Sequence, residues 1–213
     1  MRQHVTNFIF GFGSIIQTAS RAASDKSTAD AAPCRISATF GYVREWNFQA
    51  STAKLTALGL RRVADGERGA TINGVLFPAP LDMTAFDRRE NGYQRVEVPR
   101  RMVQMLSWQV LPANARVYLY VPYSPAVVEK YGKDVKTNLP YCSGPEPPEG
   151  LLASEAPGLR LRPPSIDFPI LQTYIDVCLS GCLEHGEAFA EEFVATTFKW
   201  SIYWLNEREL ARR

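Results

Sequence analysis

The sequence predicts an α+β chain, with strands in its first part and helices towards its C-terminal end. Three observations predict it. Apolar and β-branched residues alternate with polar ones in several short segments between Phe8 and Val121. Ile170, Leu171, Tyr174, Ile175, Cys178, Leu179, Cys182 and Leu183 then recur at i, i+1, i+4, i+5 spacing, a stripe along one helix face. A length of 213 residues with 46% hydrophobic content suits one domain with a substantial core. We therefore expect a single domain over residues 1–213, with a Pro/Gly-rich excursion at 132–168 and a helical part at 169–213.

The first element is the one around which the chain is organised. Val5, Phe8, Ile9 and Phe10 are β-formers with no charge among them, which suits a strand covered on both faces. The strand runs into Gly11-Phe12-Gly13-Ser14-Ile15-Ile16. Glycine permits positive φ and lets another backbone or a ligand come close. Successive N–H groups in such a turn can form a concavity for an anion, and Ser14 adds a hydroxyl at its edge. Two nucleotide loops are excluded: the dinucleotide fingerprint needs glycine at position 16, where Ile16 stands, and a Walker loop needs a Gly-Lys-Ser/Thr that is absent. A plain tight turn is the alternative reading of these residues.

Residues 20–30 are small and polar and predict a flexible loop. Residues 35–44 predict one strand in which Ile36, Ala38, Phe40 and Tyr42 alternate. Residues 55–63 and 71–77 predict the next two strands, with Asp65-Gly66 as the turn between them and Pro78 and Pro80 closing the second. Leu81, Ala85 and Phe86 at helical spacing, with Asp82 near the start, predict a short helix over 81–89 that stops at Asn91-Gly92. Residues 93–106 and 115–121 predict two further strands. Gly186 stops the striped helix, and residues 187–210 predict a second helix, continuous or broken, anchored in the core by Phe189, Phe193, Trp200 and Trp204.

A net charge of +2, from 24 basic and 22 acidic residues, gives no electrostatic footprint for nucleic acid. Arg100-Arg101 and Arg212-Arg213 read as solvated. No apolar run approaches the roughly 20 residues that cross a bilayer. No basic-then-apolar leader precedes Phe8, so the cytosol is the expected compartment. Cys34, Cys142, Cys178 and Cys182 do not form a disulfide framework in a chain of this length. With His4 and His185 as the sole histidines, they supply neither a zinc set nor a nucleophile–histidine pair, and buried free thiols are expected.

A second stretch carries chemistry. Asp87-Arg88-Arg89-Glu90-Asn91-Gly92-Tyr93-Gln94-Arg95-Val96 packs five charges and a tyrosine at a helix-to-strand junction. A glutamate just before a turn can be drawn into a cleft, where burial raises its pKa towards base duty. The same residues also read as a solvated helix end. Together, Phe-Gly-Phe-Gly-Ser-Ile and the later Arg-Glu-x-Gly-Tyr resemble the γ-glutamylcyclotransferase superfamily, which opens with an aromatic-Gly-Ser-Leu loop and carries one acid–base glutamate. Phe12-Gly13-Ser14-Ile15 is similar to that loop, with Phe for the usual Tyr and Ile for Leu. Glu90 stands at the glutamate's place. Gly41-Tyr42-Val43-Arg44 resembles a strand of the ChaC-type branch, and residues 169–183 resemble the helix that follows the site there and in plant and algal relatives.

The resemblance implies a small, mixed, partly closed β-barrel with flanking helices. Phe8, Phe10, Phe40, Tyr42, Val75, Phe77, Val96, Val98, Val117 and Leu119 are the expected barrel core. It implies intramolecular aminolysis: the α-amine of a γ-glutamyl group attacks its own γ-carbonyl, giving 5-oxoproline and a released amine or peptide. Glu90 is then the catalytic residue, and Phe12, Gly13, Ser14, Ile15 and Tyr93 bind substrate. No metal or organic cofactor is implied. The expected ligand is a small γ-glutamyl compound, glutathione among the candidates, with no nucleic-acid or membrane partner. Residues 132–168 and the C-terminal helices are the expected surface for a protein partner. The alternative is a non-catalytic protein that keeps the fold as a binding module or a subunit of a larger assembly.

Overall fold

The strand β1 (Thr6–Gly11) lies inside a sheet and is covered on both faces, as its uncharged run requires. It pairs in parallel with β8 (Ala115–Pro122) on one side and antiparallel with β5 (Ile72–Pro78) on the other. The computed structural model describes residues 6–50, 53–79, 86, 90, 93–122 and 160–210. Beyond β5 come β2 (Ala32–Ile36) and β7 (Val103–Met105), and beyond β8 comes β6 (Tyr93–Val98), giving the order β6-β8-β1-β5-β2-β7. β6 and β7 are consecutive in sequence yet occupy opposite edges. The sheet is curled into a half-barrel, and Pro99 with the 3₁₀ turn Arg100–Met102 carries the chain from one edge to the other.

A second sheet pairs β3 (Tyr42–Ala50) with β4 (Leu55–Arg62). The short β11 (Thr197–Phe198) and β9 (Arg160–Leu161) both pair with β3 as well. Among the elements whose bounds lie in the described residues, four helices flank the sheets: α1 (Thr18–Ala22), α2 (Gln172–Leu183), α3 (Glu187–Ala195) and α4 (Glu207–Leu210). β10 (Ile170–Leu171) and β12 (Trp204–Leu205) form a small parallel pair beside α2.

Two cores follow from strand alternation. Phe10, Leu76, Val96, Val98, Val117 and Leu119 share one cluster with Ile36, Tyr42 and Leu60. Ile9, Val75 and Phe77 point the other way and meet Trp46, Cys178, Cys182, Phe189 and Phe193. The expected barrel core is thus buried in large part but divided: Val75 and Phe77 pack under the helices, while Phe8 and Phe40 are half-buried at the margin of the first cluster.

Several expectations change. Residues 20–30 are structured: α1 and the 3₁₀ turn Lys26–Thr28 wrap a fully buried Arg21. The single strand expected over 35–44 is two strands. Ser37 caps the 3₁₀ turn Ala38–Phe40 by accepting from the Thr39 amide, and Gly41, at φ +81°, turns the chain into β3. The strand expected over 93–106 divides into β6 and β7, because Pro99 starts a new turn. Gly186 does stop α2, at φ +100°. The second helix ends at Ala195; Trp200 (41%) and Trp204 (48%) are exposed rather than core, and so is Leu183 at the end of the stripe. Cys34, Cys178 and Cys182 are buried free thiols. Cys142, the stop at Asn91-Gly92, most of the 81–89 helix and residues 132–159 of the excursion lie outside the described residues; within that helix, Phe86 is helical and fully buried.

Candidate active site

The strand–turn at the end of β1 is built by close approach. Neither Gly11 nor Gly13 has a positive φ. A Cβ on Gly11 would lie 2.8 Å from Ile15 Cγ1, and one on Gly13 would lie 3.5 Å from the Tyr174 hydroxyl. Glycine leaves needed room at Gly11, whereas a Cβ at Gly13 would make an ordinary contact. Ile16 donates its amide to the Gly13 carbonyl at 2.9 Å, closing a 3₁₀ turn over Ser14–Ile16. Phe12 then packs into the first core and Ile15 and Ile16 into the second.

Two buried arginines hold this loop from behind. Arg44 on β3 donates through Nη1 to the carbonyls of Phe12 (3.3 Å) and Asn73 (2.7 Å). Arg21 on α1 donates through Nη1 to the carbonyls of Ile15 (3.0 Å) and Ile16 (2.8 Å), and through Nε to that of Thr28 (2.6 Å). Those bonds fix the Phe12, Ile15 and Ile16 carbonyls on the side of the loop away from the cleft.

In front of the loop lies a cleft with about 330 Å³ of empty space. Phe12, Gly13, Ser14 and Ile15 line it, and so do Glu90 and Tyr93. All six residues singled out from sequence therefore meet at one cavity. Glu90 is half-buried at a turn; its amide donates to Phe86, and its carbonyl accepts from Tyr93 at 3.0 Å. That turn sits at the head of β6, so the glutamate is fixed from both sides.

The remaining walls are Phe10, Leu58, Tyr120 and Tyr174. Leu58 lies on β4, at an edge of the second sheet, where backbone groups need partners from elsewhere. Two tyrosines meet that need. Tyr93 donates its hydroxyl to the Leu58 carbonyl at 2.8 Å, and the Tyr174 hydroxyl lies in hydrogen-bonding reach of the Leu58 backbone and the Ser14 side chain. Burial pushes both phenols up; Tyr174 and Glu90 raise Tyr93 further, and Cys178 and Glu90 raise Tyr174 further. Both are neutral donors at physiological pH.

Sequence reading missed Tyr174, Arg21 and Arg44 as parts of this site. Tyr174 was placed in the apolar stripe; the signal was its hydroxyl, the one polar tip among Ile, Leu and Cys. Arg21 sat unremarked in a run of small residues, while Arg44 closed the Gly41-Tyr42-Val43-Arg44 motif but was given no role in the site. Among the described residues, no group of three or more His, Cys, Asp or Glu is placed to hold a metal ion.

No family model and no curated protein matches this sequence. Solved structures do resemble it. An uncharacterized human protein is similar at a TM-score of 0.50 with 13% identity, over 99% of this chain and 100% of that one. The likeness is to a mixed α+β fold with a curled six-strand half-barrel sheet. A γ-glutamyl cyclotransferase is similar at a TM-score of 0.48 and 14% identity over 97% of each chain. A glutathione-specific γ-glutamyl cyclotransferase from yeast is similar at 0.35 and 15% identity, over 55% of this chain and 70% of that one. At such identities the likeness is one of fold.

Proposed function

We propose that this chain is a γ-glutamylcyclotransferase, releasing 5-oxoproline from a small γ-glutamyl compound. The observation that carries the reading is the gathering of the Glu90 side chain and the Gly13–Ile15 turn on one cleft.

The chemistry asks little of the protein. Nucleophile and electrophile belong to one molecule, so holding them in attack geometry supplies much of the rate. The loop amides bind the substrate's α-carboxylate or the developing oxyanion. Glu90 takes a proton from the α-ammonium. The freed amine attacks the γ-carbonyl carbon and a new C–N bond closes the ring; the old C–N bond breaks as Glu90 returns its proton to the leaving nitrogen, and the second proton shed by the ring nitrogen is taken up by the released amine. The loop position held by Tyr in the superfamily is Phe12, without a hydroxyl; Tyr174 brings one to Ser14 from α2 instead.

The test is direct. Purified protein is incubated with glutathione, γ-glutamyl amino acids and γ-glutamylamines, and 5-oxoproline is assayed. Release from any one supports the reading and names the leaving group. Release from none makes the non-catalytic reading the better one.

A further inference from the structure

Arg44 carries a charge that its own hydrogen bonds do not require. It is fully buried and makes six of them, all to neutral acceptors: the carbonyls of Phe12, Asn73 and Phe193 and the side chains of Asn73, Thr196 and Thr197. Its guanidinium also stacks 3.8 Å from the Phe193 ring centroid. The neighbouring acid, Glu192, is forked onto Arg35 instead, at 2.5 Å through both oxygens. Burying a cation without a carboxylate is costly. The guanidinium's five N–H donors account for the oxygens it meets; its charge, set against neutral acceptors alone, can act on the groups around it.

The peptide between Arg44 and the cleft supplies one. In a trans peptide the carbonyl and the next N–H point in opposite directions. With the Phe12 carbonyl aimed at Arg44, the Gly13 N–H is aimed away from it, and Gly13 lines the cleft. A cation hydrogen-bonded to the carbonyl polarises that amide into a stronger donor.

We propose that Arg44 is a positioning residue whose buried charge, acting through the Phe12–Gly13 peptide, sets the cleft's preference for a carboxylate-bearing ligand. The proposal rests on the cleft being a γ-glutamyl site. Desolvation pulls the Arg44 pKa down to about 10, so the cation persists at neutral pH.

Two ligands that differ only in charge test it: 5-oxoproline, a carboxylate, and 5-oxoprolinamide, its neutral amide. Binding of each is measured by calorimetry for the wild type, Arg44→Met and Arg44→Lys, with thermal melts alongside. The wild type is expected to favour the carboxylate by about tenfold or more, the scale of a charge felt across a few ångströms of protein. Arg44→Met should shrink that preference to below about threefold. Arg44→Lys keeps the charge and loses the fork, so it should bind both ligands more weakly and keep the preference. If Arg44→Met weakens both ligands by the same factor, or neither, the role is structural and the proposal fails. If Arg44→Met does not fold, Arg44→Lys decides, and a lost preference overturns the proposal. Equal wild-type affinity for the two ligands overturns the proposal but leaves the cleft reading standing. Binding of neither by the wild type overturns both.

Discussion

Gly181 on α2 lies flat against the backbone of Gln17: a Cβ there would sit 2.6 Å from the Gln17 Cα and closer still to its amide nitrogen. Gln17 is the residue on which the 3₁₀ turn of the loop ends. The two elements are tied on both sides of this contact. Gln17 Nε2 donates to Ser180 Oγ at 2.8 Å, and Glu184 accepts from the amide and hydroxyl of Thr18.

Gly181→Ala should therefore force α2 off the loop. Backbone atoms on Gln17 cannot rotate aside, so the expected loss is about 1–3 kcal/mol in chemical denaturation, the cost of overpacking a close contact. Ser180→Ala, one residue earlier and on an exposed position, removes two side-chain hydrogen bonds, one from Gln17 and one to the Val177 carbonyl, without crowding any backbone, and should cost less.

Glu90→Gln keeps size and hydrogen bonding but removes the base. Turnover to 5-oxoproline should fall by about 10²–10⁴-fold, the usual contribution of a general acid–base group, with the melting temperature unchanged. Glu97 is the control. Its carboxylate pairs with Arg116 on the strand surface, at 3.3 Å, and Glu97→Gln should keep wild-type turnover. Equal turnover by the Glu90 variant would remove the catalytic assignment.

Tyr174→Phe removes the hydroxyl that reaches Ser14 and the Leu58 backbone. A lost hydrogen bond of this kind is worth about 1 kcal/mol, so kcat/KM should drop by about fivefold. Steady-state kinetics beside a thermal melt separates this from unfolding. An unchanged kcat/KM would return Tyr174 to the core stripe where its spacing first placed it.

Phe193→Ala should be the most damaging of these changes to stability. The ring is fully buried and forms the platform beneath the Arg44 guanidinium. Truncating a buried aromatic costs about 3–5 kcal/mol, readable as a shift in the denaturant midpoint.

Glu67 gives a pH-dependent term. Arg61 donates to it through both Nη atoms and the Ala64 amide adds a third hydrogen bond, which together hold its carboxyl down to about 2. A depressed folded pKa stabilises the fold above the unfolded value and loses that contribution as pH falls. The stability difference between wild type and Glu67→Gln should be present at neutral pH. It should shrink as pH drops below the ordinary glutamate value of about 4.3 and vanish near the folded value. A difference that does not change across that window would show that the pair contributes nothing in solution.

The fold was legible in sequence wherever one local signal sufficed. The uncharged run at Phe8–Phe10 gave β1, and the alternation at residues 55–63, 71–77 and 115–121 gave β4, β5 and β8. It failed where a single residue redirected the chain. Ser37 and Gly41 break an alternation that otherwise runs from Ile36 to Tyr42, and Pro99 does the same between β6 and β7. Trp200 and Trp204 misled for a different reason: aromatic content marks burial in general, not at a given position. The front of the site was legible because Gly13, Ser14 and Glu90 sit in short motifs. Its back was not, because Arg21 and Arg44 act through backbone carbonyls that no side-chain pattern reveals.

The parts that shape the loop come from far along the chain. Arg44 reaches Thr197 across 153 residues, and Gln17 reaches Ser180 across 163. During synthesis β1 and its glycine turn leave the ribosome long before those partners exist, and a chain made at about 5–20 residues per second waits roughly 8–30 seconds for them. Strand β1 can pair early with β5, but the turn has no Tyr174, no Thr197 and no α2 to press on it. Completion of the cleft is thus a late event of biogenesis: a ribosome stalled before residue 170 carries strands whose glycine turn still lacks the wall that α2 supplies.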